Sequence, residues 1–142
     1  MLKQISIFLE NKSGRLAEIT RTISENGLDI RALSIADTTN FGILRLIVNN
    51  PQKAQDALKS AGYTVSLTDV IAVCVNDVPG GLANALDVLN LNNIAVEYMY
   101  AFIGKPHQEA YVILRVEDIV AAEVVLTDGG VQLLKPEDVY TM

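Results

Sequence analysis

Two short glycine loops are the parts of this sequence whose residue types and spacing suit the binding of a small molecule. They run from Asn11 to Leu16 (NKSGRL) and from Asp77 to Leu82 (DVPGGL). Each follows a strand-like stretch and precedes a helix-like stretch, so unpaired backbone N–H groups and the positive end of a helix dipole point outward. Such an end suits a carboxylate. The alternative is equally open: Gly14 and Gly80 serve only a tight turn or a close approach between the two copies of the repeat described below.

The candidates for nucleophilic or acid–base catalysis are isolated residues without suitable partners. His107 is the only histidine and lies in a turn between two predicted strands, whereas Cys74 is the only cysteine and lies in the apolar run 70–75. No histidine pairs with Cys74, and no serine has the context of a nucleophile elbow. Cys74 is expected to be a buried structural thiol, since a reactive thiol needs exposure and a lowered pKa. We therefore predict no catalytic residues and no enzymatic activity.

Neither metal ions nor nucleotide cofactors are expected. A metal site requires several convergent ligands, and the acidic residues here are scattered along helices and turns. Glu117 and Asp118 open a predicted helix, where carboxylates cap the helix and complement its dipole. Neither glycine loop has the glycine spacing of a dinucleotide-binding motif or the lysine of a P-loop.

Composition bounds the class of protein further. The chain has 142 residues, half of them apolar, and a formal net charge of -6, so it can hold one ordinary domain or two small ones. The acidic balance argues against a nucleic-acid partner, because binding to a phosphate backbone needs clustered Lys and Arg. No apolar run reaches the roughly 18 residues that span a bilayer, and the first residues lead into a strand. We expect no membrane partner and a cytoplasmic location.

The elements that position the two loops form an internal repeat. Shifting the first loop forward by 66 positions places Asn11 on Asp77, Gly14 on Gly80 and Leu16 on Leu82. After a small insertion the stretch 42–48 (GILRLIV) aligns with 110–116 (AYVILRV). We therefore predict two domains, residues 1–69 and 70–142.

Each copy has the periodicity of six elements in the order β-α-β-β-α-β. Alternating apolar residues indicate strands, and apolar residues at helical spacing indicate helices, with Ser13 as a predicted N-cap and Gly27 closing the first helix. Pro51 suits the first position of the second helix and Gly62 its end. The predicted strands are 3–9, 29–36, 42–49, 63–67, 70–75, 94–103, 111–116 and 131–134, and the predicted helices span roughly 14–26, 51–61, 82–92 and 119–128.

This order is the split βαβ pattern of ferredoxin-like folds. The fold class is therefore α+β, with two tandem βαββαβ units, antiparallel sheet and helices on one face. The other face and the sheet edges need cover, which favours a homodimer. Residues 135–142 are expected to form an extra edge strand or a tail without regular structure.

The two loops with their following turns resemble the ACT domain pattern. In that pattern an Asp-x-Pro-Gly-x-Leu loop precedes a helix, and a glycine turn with an Asn-Ile-like pair follows it. This sequence has NKSGRL with GLDI at 27–30, and DVPGGL with NIAV at 93–96. The resemblance covers nearly the whole chain twice and implies a stand-alone tandem ACT protein without a catalytic domain.

The resemblance implies a small effector, most often an amino acid, bound where a glycine loop of one unit meets a neighbouring unit. Its carboxylate would accept hydrogen bonds from loop N–H groups, and its ammonium would contact Asn11, Asp77 or carbonyls at the strand ends. The implied ligand-binding residues are Asn11, Ser13, Gly14, Arg15, Leu16, Asp77, Val78, Pro79, Gly80, Gly81 and Leu82.

The two loops also depart from the family pattern, and from each other. The first has Asn11 and Ser13 where the pattern has Asp and Pro; the second has Gly81 in place of Arg15, and Ala95 where the family often has Asn. We expect that the loops are not equivalent, so that one could bind ligand while the other only packs.

Three aromatic residues alternate along one predicted strand: Tyr98, Tyr100 and Phe102. They share a face, as do the base-stacking aromatics of some RNA-binding domains of similar topology. Because the chain is acidic, contact with a helix, the other copy or a second subunit is favoured, and a place in the lining of a ligand pocket stays open.

Three functions follow from these observations. The first is a non-catalytic sensor that binds an amino-acid effector and passes the change to a regulated enzyme partner. The second is a protein–protein interaction module whose glycine loops are purely structural. The third is a small hydrolase like the acylphosphatases, in which Arg15 or Arg21 would bind phosphate, but the residues that would accompany them are missing.

Overall fold

The computed structural model describes residues 1–38, 40–102 and 109–141. Within these ranges no helix is long and apolar enough to span a membrane. The strands are β1 (Leu2–Glu10), β2 (Ile30–Asp37), β3 (Phe41–Val48), β4 (Thr64–Asn76), β5 (Tyr98–Phe102), β6 (Glu109–Arg115) and β7 (Gln132–Leu133). The helices are α1 (Arg15–Glu25), α2 (Pro51–Ser60), α3 (Gly81–Leu91), α4 (Ile119–Asp128) and α5 (Pro136–Tyr140).

Contacts divide the chain into two compact units. One consists of Lys3–Thr68 with Tyr140–Met142, and we call it the first unit; the other consists of Met1–Leu2 with Asp69–Val139, and we call it the second unit. The division falls inside β4, and each unit takes in a short piece from the opposite end of the chain. The assignment of 1–69 and 70–142 as separate domains stays a prediction about how the chain folds.

The first unit is an antiparallel sheet covered by α1 and α2. Its strands lie in the order β2-β3-β1-β4, with Ile7 opposite Leu44. Because strand side chains alternate between faces, one face of these strands is apolar and packs on both helices. The buried core comprises Ile5, Ile7, Leu9, Leu44, Leu46, Val48 and Val65 from the strands, Ile19 and Ile23 from α1, Ala54 and Leu58 from α2, and Leu28.

The second unit repeats this arrangement. Its strands lie in the order β5-β6-β4 with β7 on the other side of β4, and Val73 lies opposite Val112. The buried core comprises Ile71, Val73 and Val75 from β4, Val112 and Leu114 from β6, Val116, Ala85 and Leu89 from α3, and Ile119, Ala122 and Leu126 from α4. Two βαββαβ units with helices on one face confirm the predicted α+β class.

Side chains cap the first turns of α2 and α4. Asn50 caps α2 by accepting a hydrogen bond from the Lys53 N–H at 3.1 Å, and Asp118 caps α4 by accepting from the Ala121 N–H at 3.0 Å. The prediction of Ser13 as an N-cap is wrong. Gly14 holds that position in the left-handed conformation, and no side chain caps α1, because the loop turns one residue later than the serine.

Two further predictions are corrected by the structure. The strands expected at 63–67 and 70–75 are one strand, β4, since the polar pair Thr68-Asp69 carries no glycine or proline to end it. The segment after residue 134 forms the short helix α5. Pro136 starts this helix, as proline suits a first helical position, and fully buried Val139 anchors it.

The strand expected from residue 94 begins only at Tyr98. Ile94 and Val96 instead pack against the core of the second unit as irregular chain. The remaining part of the prediction, Ile103, lies outside the described residues.

Candidate functional site

The two glycine loops have the same backbone conformation. Gly14 has φ 88° and ψ -11°, and Gly80 has φ 88° and ψ -8°. This left-handed region is unfavourable for residues with a Cβ atom, which explains the glycine in both loops. Each glycine is the N-cap of the following helix, α1 or α3, so each strand end passes into its helix through one fixed turn.

The helix ends that follow these glycines are open to solvent. No side chain accepts a hydrogen bond from the first turn of α1 or α3. Within the first loop, the Glu18 N–H donates to the Gly14 carbonyl at 2.9 Å, which begins the helical pattern. The loop residues from Asn11 to Gly14 are exposed, as are those from Asp77 to Gly80. Both loops therefore present backbone donors to solvent, as an anion site requires.

Asn11 has a structural task in the first loop. Its Nδ2 donates to the Asp37 Oδ1 at 2.5 Å, to the Thr38 carbonyl at 2.6 Å and to the Phe41 carbonyl at 3.2 Å. These contacts hold the hairpin between β2 and β3 against the end of β1. An amide whose donors are engaged in this way offers a ligand only its oxygen.

The second loop has the same two backbone hydrogen bonds as the first, in which the Lys12 N–H donates to the Glu10 carbonyl at 2.8 Å and the Arg15 N–H donates to the Lys12 carbonyl at 3.3 Å. The Val78 N–H donates to the Asn76 carbonyl at 2.9 Å, and the Gly81 N–H donates to the Val78 carbonyl at 3.0 Å. A Cβ atom on Gly81 would lie 2.1 Å from the Asn76 carbonyl oxygen. No side chain fits there, although the equivalent Arg15 carries a long one.

A cavity that the sequence did not reveal lies beside the first loop, and we call it the first cavity. It has a volume of about 420 Å³ and includes only Arg15 of the predicted ligand-binding residues. The repeat in the sequence does not reveal this cavity, but it predicts that a matching one exists in the second unit, as the structure shows. Its lining residues are Phe8, Leu9, Glu10, Arg15, Glu18, Phe41, Ala61, Gly62, Tyr63 and Thr64.

Charged and aromatic side chains in the first cavity contact one another. Glu18 Oε2 lies 3.2 Å from Arg15 Nη1 and accepts a hydrogen bond from the Tyr63 hydroxyl at 2.9 Å. The hydrogen bond from Tyr63, followed by that from Arg15, lowers the pKa of Glu18 below its ordinary value. Burial and the bond to Glu18 raise the pKa of Tyr63. The rings of Phe8 and Phe41 stack with their centroids 5.2 Å apart.

The matching cavity in the second unit, the second cavity, has a volume of about 290 Å³. Its lining residues are Cys74, Val75, Asn76, Gly81, Asn84, Ala85, Val88, Glu109, Gly129, Gly130, Val131 and Gln132. Burial, followed by the hydrogen bond and charge of Glu109, raises the pKa of Cys74 to about 11. A thiol held protonated in this way is a poor nucleophile, and its predicted burial is confirmed.

The other residues considered for chemistry do not form a site. Asp118 caps α4 as predicted, and His107 lies outside the described residues. In the part of the chain that the structure describes, no three His, Cys, Asp or Glu side chains come together to hold a metal ion.

The aromatic residues of β5 do share a face, as predicted. Tyr100 is buried, Tyr98 and Phe102 are half-buried, and the Phe102 ring contacts the Tyr111 ring at 5.4 Å between centroids. Covered rings of this kind are unsuitable for stacking bases, which require an open aromatic surface.

Comparisons with known proteins place this fold and these loops in context. The sequence profile described as "ACT domain pair" matches residues 1–142. The crystal structure of protein BT0572 from Bacteroides thetaiotaomicron is 41% identical, covers 99% of this chain and 96% of its own, and has a TM-score of 0.94. A search of curated proteins returned no match.

Two more distant structures share the fold. The ligand-free regulatory subunit of aspartate kinase from Thermus thermophilus is 17% identical, with a TM-score of 0.67 and coverage of 89% of this chain and 91% of its own. The regulatory subunit from Thermus flavus is 16% identical, with a TM-score of 0.62 and coverage of 90% and 92%.

Proposed function

Because this chain belongs to the ACT domain pair family, we propose that it is a non-catalytic regulatory protein that binds an amino-acid effector at its glycine loops. The effector stabilises one arrangement of the protein over another, and that change is passed to a regulated enzyme. Only a difference in affinity between two arrangements can produce such regulation.

The observation that carries the proposal is the pair of matching left-handed glycines at open helix ends. Gly14 and Gly80 differ by only 3° in ψ, and the helix that follows each of them lacks a side-chain cap. Backbone donors held in a fixed turn at a helix N-terminus suit the carboxylate of an amino acid. The proposed contact residues remain Asn11, Ser13, Gly14, Arg15, Leu16, Asp77, Val78, Pro79, Gly80, Gly81 and Leu82.

The structural relatives support the regulatory part of the proposal. The two Thermus proteins are regulatory subunits of aspartate kinase, an enzyme of amino-acid metabolism by its name. These proteins resemble this chain in fold. Because they are regulatory subunits of an enzyme, an enzyme is the first class of partner to test.

The first experiment is thermal unfolding of the full chain, purified free of bound ligand, with each common amino acid at millimolar concentration. An effector present at about a hundred times its dissociation constant adds about 2.7 kcal/mol to the free energy of unfolding, which raises the melting temperature visibly. No shift with any amino acid would contradict the proposal.

Variants of the loop glycines then locate the site. Gly14→Val or Gly80→Val, whichever replaces the glycine of a loop that binds the effector, should weaken binding while the protein stays folded. Gly27→Val is the matched control, because Gly27 also has a positive φ, 69°, and open space around it but lies outside both loops. Equal affinity in all three variants would remove the loops from the site.

We propose further that the protein is a homodimer. Leu33 and Ile35 are 55% and 45% exposed and lie on β2, which ends the described sheet order of its unit. Exposed apolar side chains on an edge strand are a pairing surface. Leu33→Glu should shift sedimentation toward monomer, whereas Val120→Glu on α4, at a position 60% exposed, should not.

This surface also favours the second candidate, an interaction module without a small-molecule ligand. In that case the edge of β2 binds another protein and no amino acid shifts the melting temperature. Retention of a partner by the wild type but not by Leu33→Glu, together with no thermal shift, would support this alternative over the sensor.

A further inference from the structure

We propose that the first cavity, and not the second, binds a zwitterion with an apolar or aromatic side chain, and that Arg15 holds its carboxylate. The inference rests on the proposed amino-acid effector. It assigns a second contact region beside the first glycine loop and makes the two copies functionally different.

The two cavities occupy the same place in the repeated fold. Each lies between the end of the first strand of its copy, the start of the first helix, and the turn that follows the second helix. The lining residues of the two cavities correspond through the repeat. A shift of 66 positions relates Phe8, Glu10, Arg15 and Glu18 to Cys74, Asn76, Gly81 and Asn84. A shift of 68 positions relates Phe41 and Tyr63 to Glu109 and Val131. The fold thus forms a cavity in each copy, and side chains decide its chemistry.

Arg15 is the group in the first cavity that can hold a carboxylate. Its guanidinium has five N–H donors in a planar fork that can bind both oxygens of a carboxylate. In the structure, Nη1 donates a hydrogen bond to Glu18 Oε2 at 3.2 Å. The side chains of Arg15 and Glu18 are 37% and 56% exposed. Exposed ion pairs are weak, so a ligand carboxylate can take up the remaining donors or replace this contact.

Two carboxylates in the same cavity suit the ammonium group of the ligand. Glu18 is held in place by the Tyr63 hydroxyl, and Glu10 lies 2.7 Å from Lys12 Nζ in an exposed pair. The hydrogen bond and charge of Lys12 lower the pKa of Glu10, so both groups are ionised at neutral pH. Opposite charges at one cavity match the two ends of a zwitterion.

The stacked rings of Phe8 and Phe41 supply an apolar wall. They are 50% and 43% exposed, although phenylalanine is among the residues that are most often fully buried. A further ring or an aliphatic chain can pack on this pair. The volume of about 420 Å³ lies within the range of small-molecule sites.

The described lining of the second cavity lacks each of these groups. Glycine replaces the arginine, and a Cβ atom at Gly81 would clash with the Asn76 carbonyl oxygen at 2.1 Å. The equivalents of Glu18 and Tyr63 are Asn84 and Val131, and Glu109 is the only charged residue in the described lining. A carboxylate would therefore meet a negative charge there and no cation.

The test is isothermal titration of the full chain with L-phenylalanine and with L-phenylalaninamide, which keeps the ring and ammonium but lacks the carboxylate. The wild type should bind one L-phenylalanine per chain, and the amide more weakly. Arg15→Ala should weaken the affinity for L-phenylalanine by roughly 10- to 100-fold, which is the effect of losing hydrogen bonds to a charged group. The affinity for L-phenylalaninamide should be almost unchanged.

The matched control is Asn84→Ala in the second cavity, which should leave both affinities unchanged. Phe8→Ala should weaken the affinity for both ligands, because it removes part of the apolar wall. Far-ultraviolet circular dichroism and melting temperature check that each variant is folded, and ring-proton shifts of Phe8, Phe41 and Tyr63 on addition of L-phenylalanine report the site directly.

The outcomes separate the inference from the proposed function. If amino acids bind the wild type but Arg15→Ala has wild-type affinity, or two ligands bind per chain, the inference is overturned and the proposed function stands. If no amino acid binds the wild type, both are overturned. Selective loss in Arg15→Ala supports both.

Discussion

Glycine is required at positions 14, 80 and 81 for two different physical reasons. Gly14 and Gly80 have a φ of 88° and open space around the missing Cβ, so their requirement is conformational. Gly81 is constrained by its neighbour, the Asn76 carbonyl oxygen. The sequence has glycine at all three positions, and only the three-dimensional structure distinguishes the conformational requirement from the steric one.

We expect Gly81→Ala to lower the free energy of unfolding by about 2–3 kcal/mol, in the range of overpacked sites, because the clash is with backbone. Gly14→Ala should lower it by about 1–2 kcal/mol, the cost of the left-handed conformation. Arg15→Ala, at the position equivalent to Gly81, should change it by less than about 0.5 kcal/mol. Urea denaturation measures all three, and a Gly81→Ala variant as stable as wild type would contradict the steric argument.

The Tyr63–Glu18 contact gives a prediction on pH. Tyr63→Phe removes the hydrogen bond that most lowers the Glu18 pKa, so that pKa should rise toward its ordinary value of 4.5. Titration of the Glu18 side-chain carbon signal by NMR measures the change. An unaltered titration would show that the hydrogen bond does not form in solution.

The same pair sets the sign of a stability change with pH. A carboxyl group whose pKa is lower in the folded state contributes stability above its unfolded pKa and loses it as the pH falls through its folded pKa. For Glu18 the loss therefore occurs below pH 4.5. Since the pKa of Tyr63 is raised from 10.0, its contribution is lost as the pH rises above that value.

At the scale of elements, the helices differ in how they begin. Asn50 and Asp118 accept hydrogen bonds from N–H groups of α2 and α4, whereas α1 and α3 start from left-handed glycines without a side-chain cap. The capped helices are thus closed at their N-termini and the uncapped ones are open. This alternation occurs in both units, as the repeat requires.

We expect Asn50→Ala and Asp118→Ala each to lower the free energy of unfolding by about 1 kcal/mol, the usual effect of removing an N-cap. Ser13→Ala should have no such effect, because its side chain caps nothing. Chemical denaturation of the three variants provides the comparison. A loss in Ser13→Ala equal to that in Asn50→Ala would contradict the assignment of Gly14 as the cap.

The helix α5 is an element whose role depends on distant residues. The Tyr140 hydroxyl accepts a hydrogen bond from the Lys3 N–H at 2.8 Å, and the Tyr140 carbonyl accepts one from Arg31 Nε at 3.2 Å. Val139 beside it is fully buried. Five residues are too few for a stable isolated helix, so these contacts account for its formation.

At the scale of the whole molecule, the chain itself connects the two units. β4 passes from one unit into the other without a break, and the second unit contains Met1–Leu2 while the first contains Tyr140–Met142. Unfolding one unit would therefore disrupt β4, a strand that the other unit also uses. This arrangement favours a single cooperative transition.

We expect Leu46→Ala in the core of the first unit and Leu114→Ala in that of the second to shift one common unfolding transition. Both side chains are fully buried, and such truncations lower the free energy of unfolding by about 2–5 kcal/mol. Differential scanning calorimetry measures the transition. Two separate transitions, each shifted by one variant only, would show instead that 1–69 and 70–142 fold independently.

The sequence by itself determined the order of elements, the repeat, the α+β class and the family. These rest on local patterns: the apolar period, the turn residues Gly27 and Gly62, and the helix starts marked by Pro51 and Asp118. Such patterns depend on residues that are close together in the chain, so they can be recognised from the sequence alone. The same locality explains the errors at Ser13, where the turn shifted by one residue, and at 63–75, where no turn interrupts the strand.

The tertiary structure alone decided what depends on residues far apart in the chain. It brought Arg15, Glu18 and Tyr63 together at one cavity, buried Gln4 on a strand position that alternation marks as polar, and held α5 through Lys3 and Arg31. The steric need for Gly81 and the engagement of Asn11 with the hairpin arise in the same way. Each is set by distances between elements, which a periodic pattern along the chain does not contain.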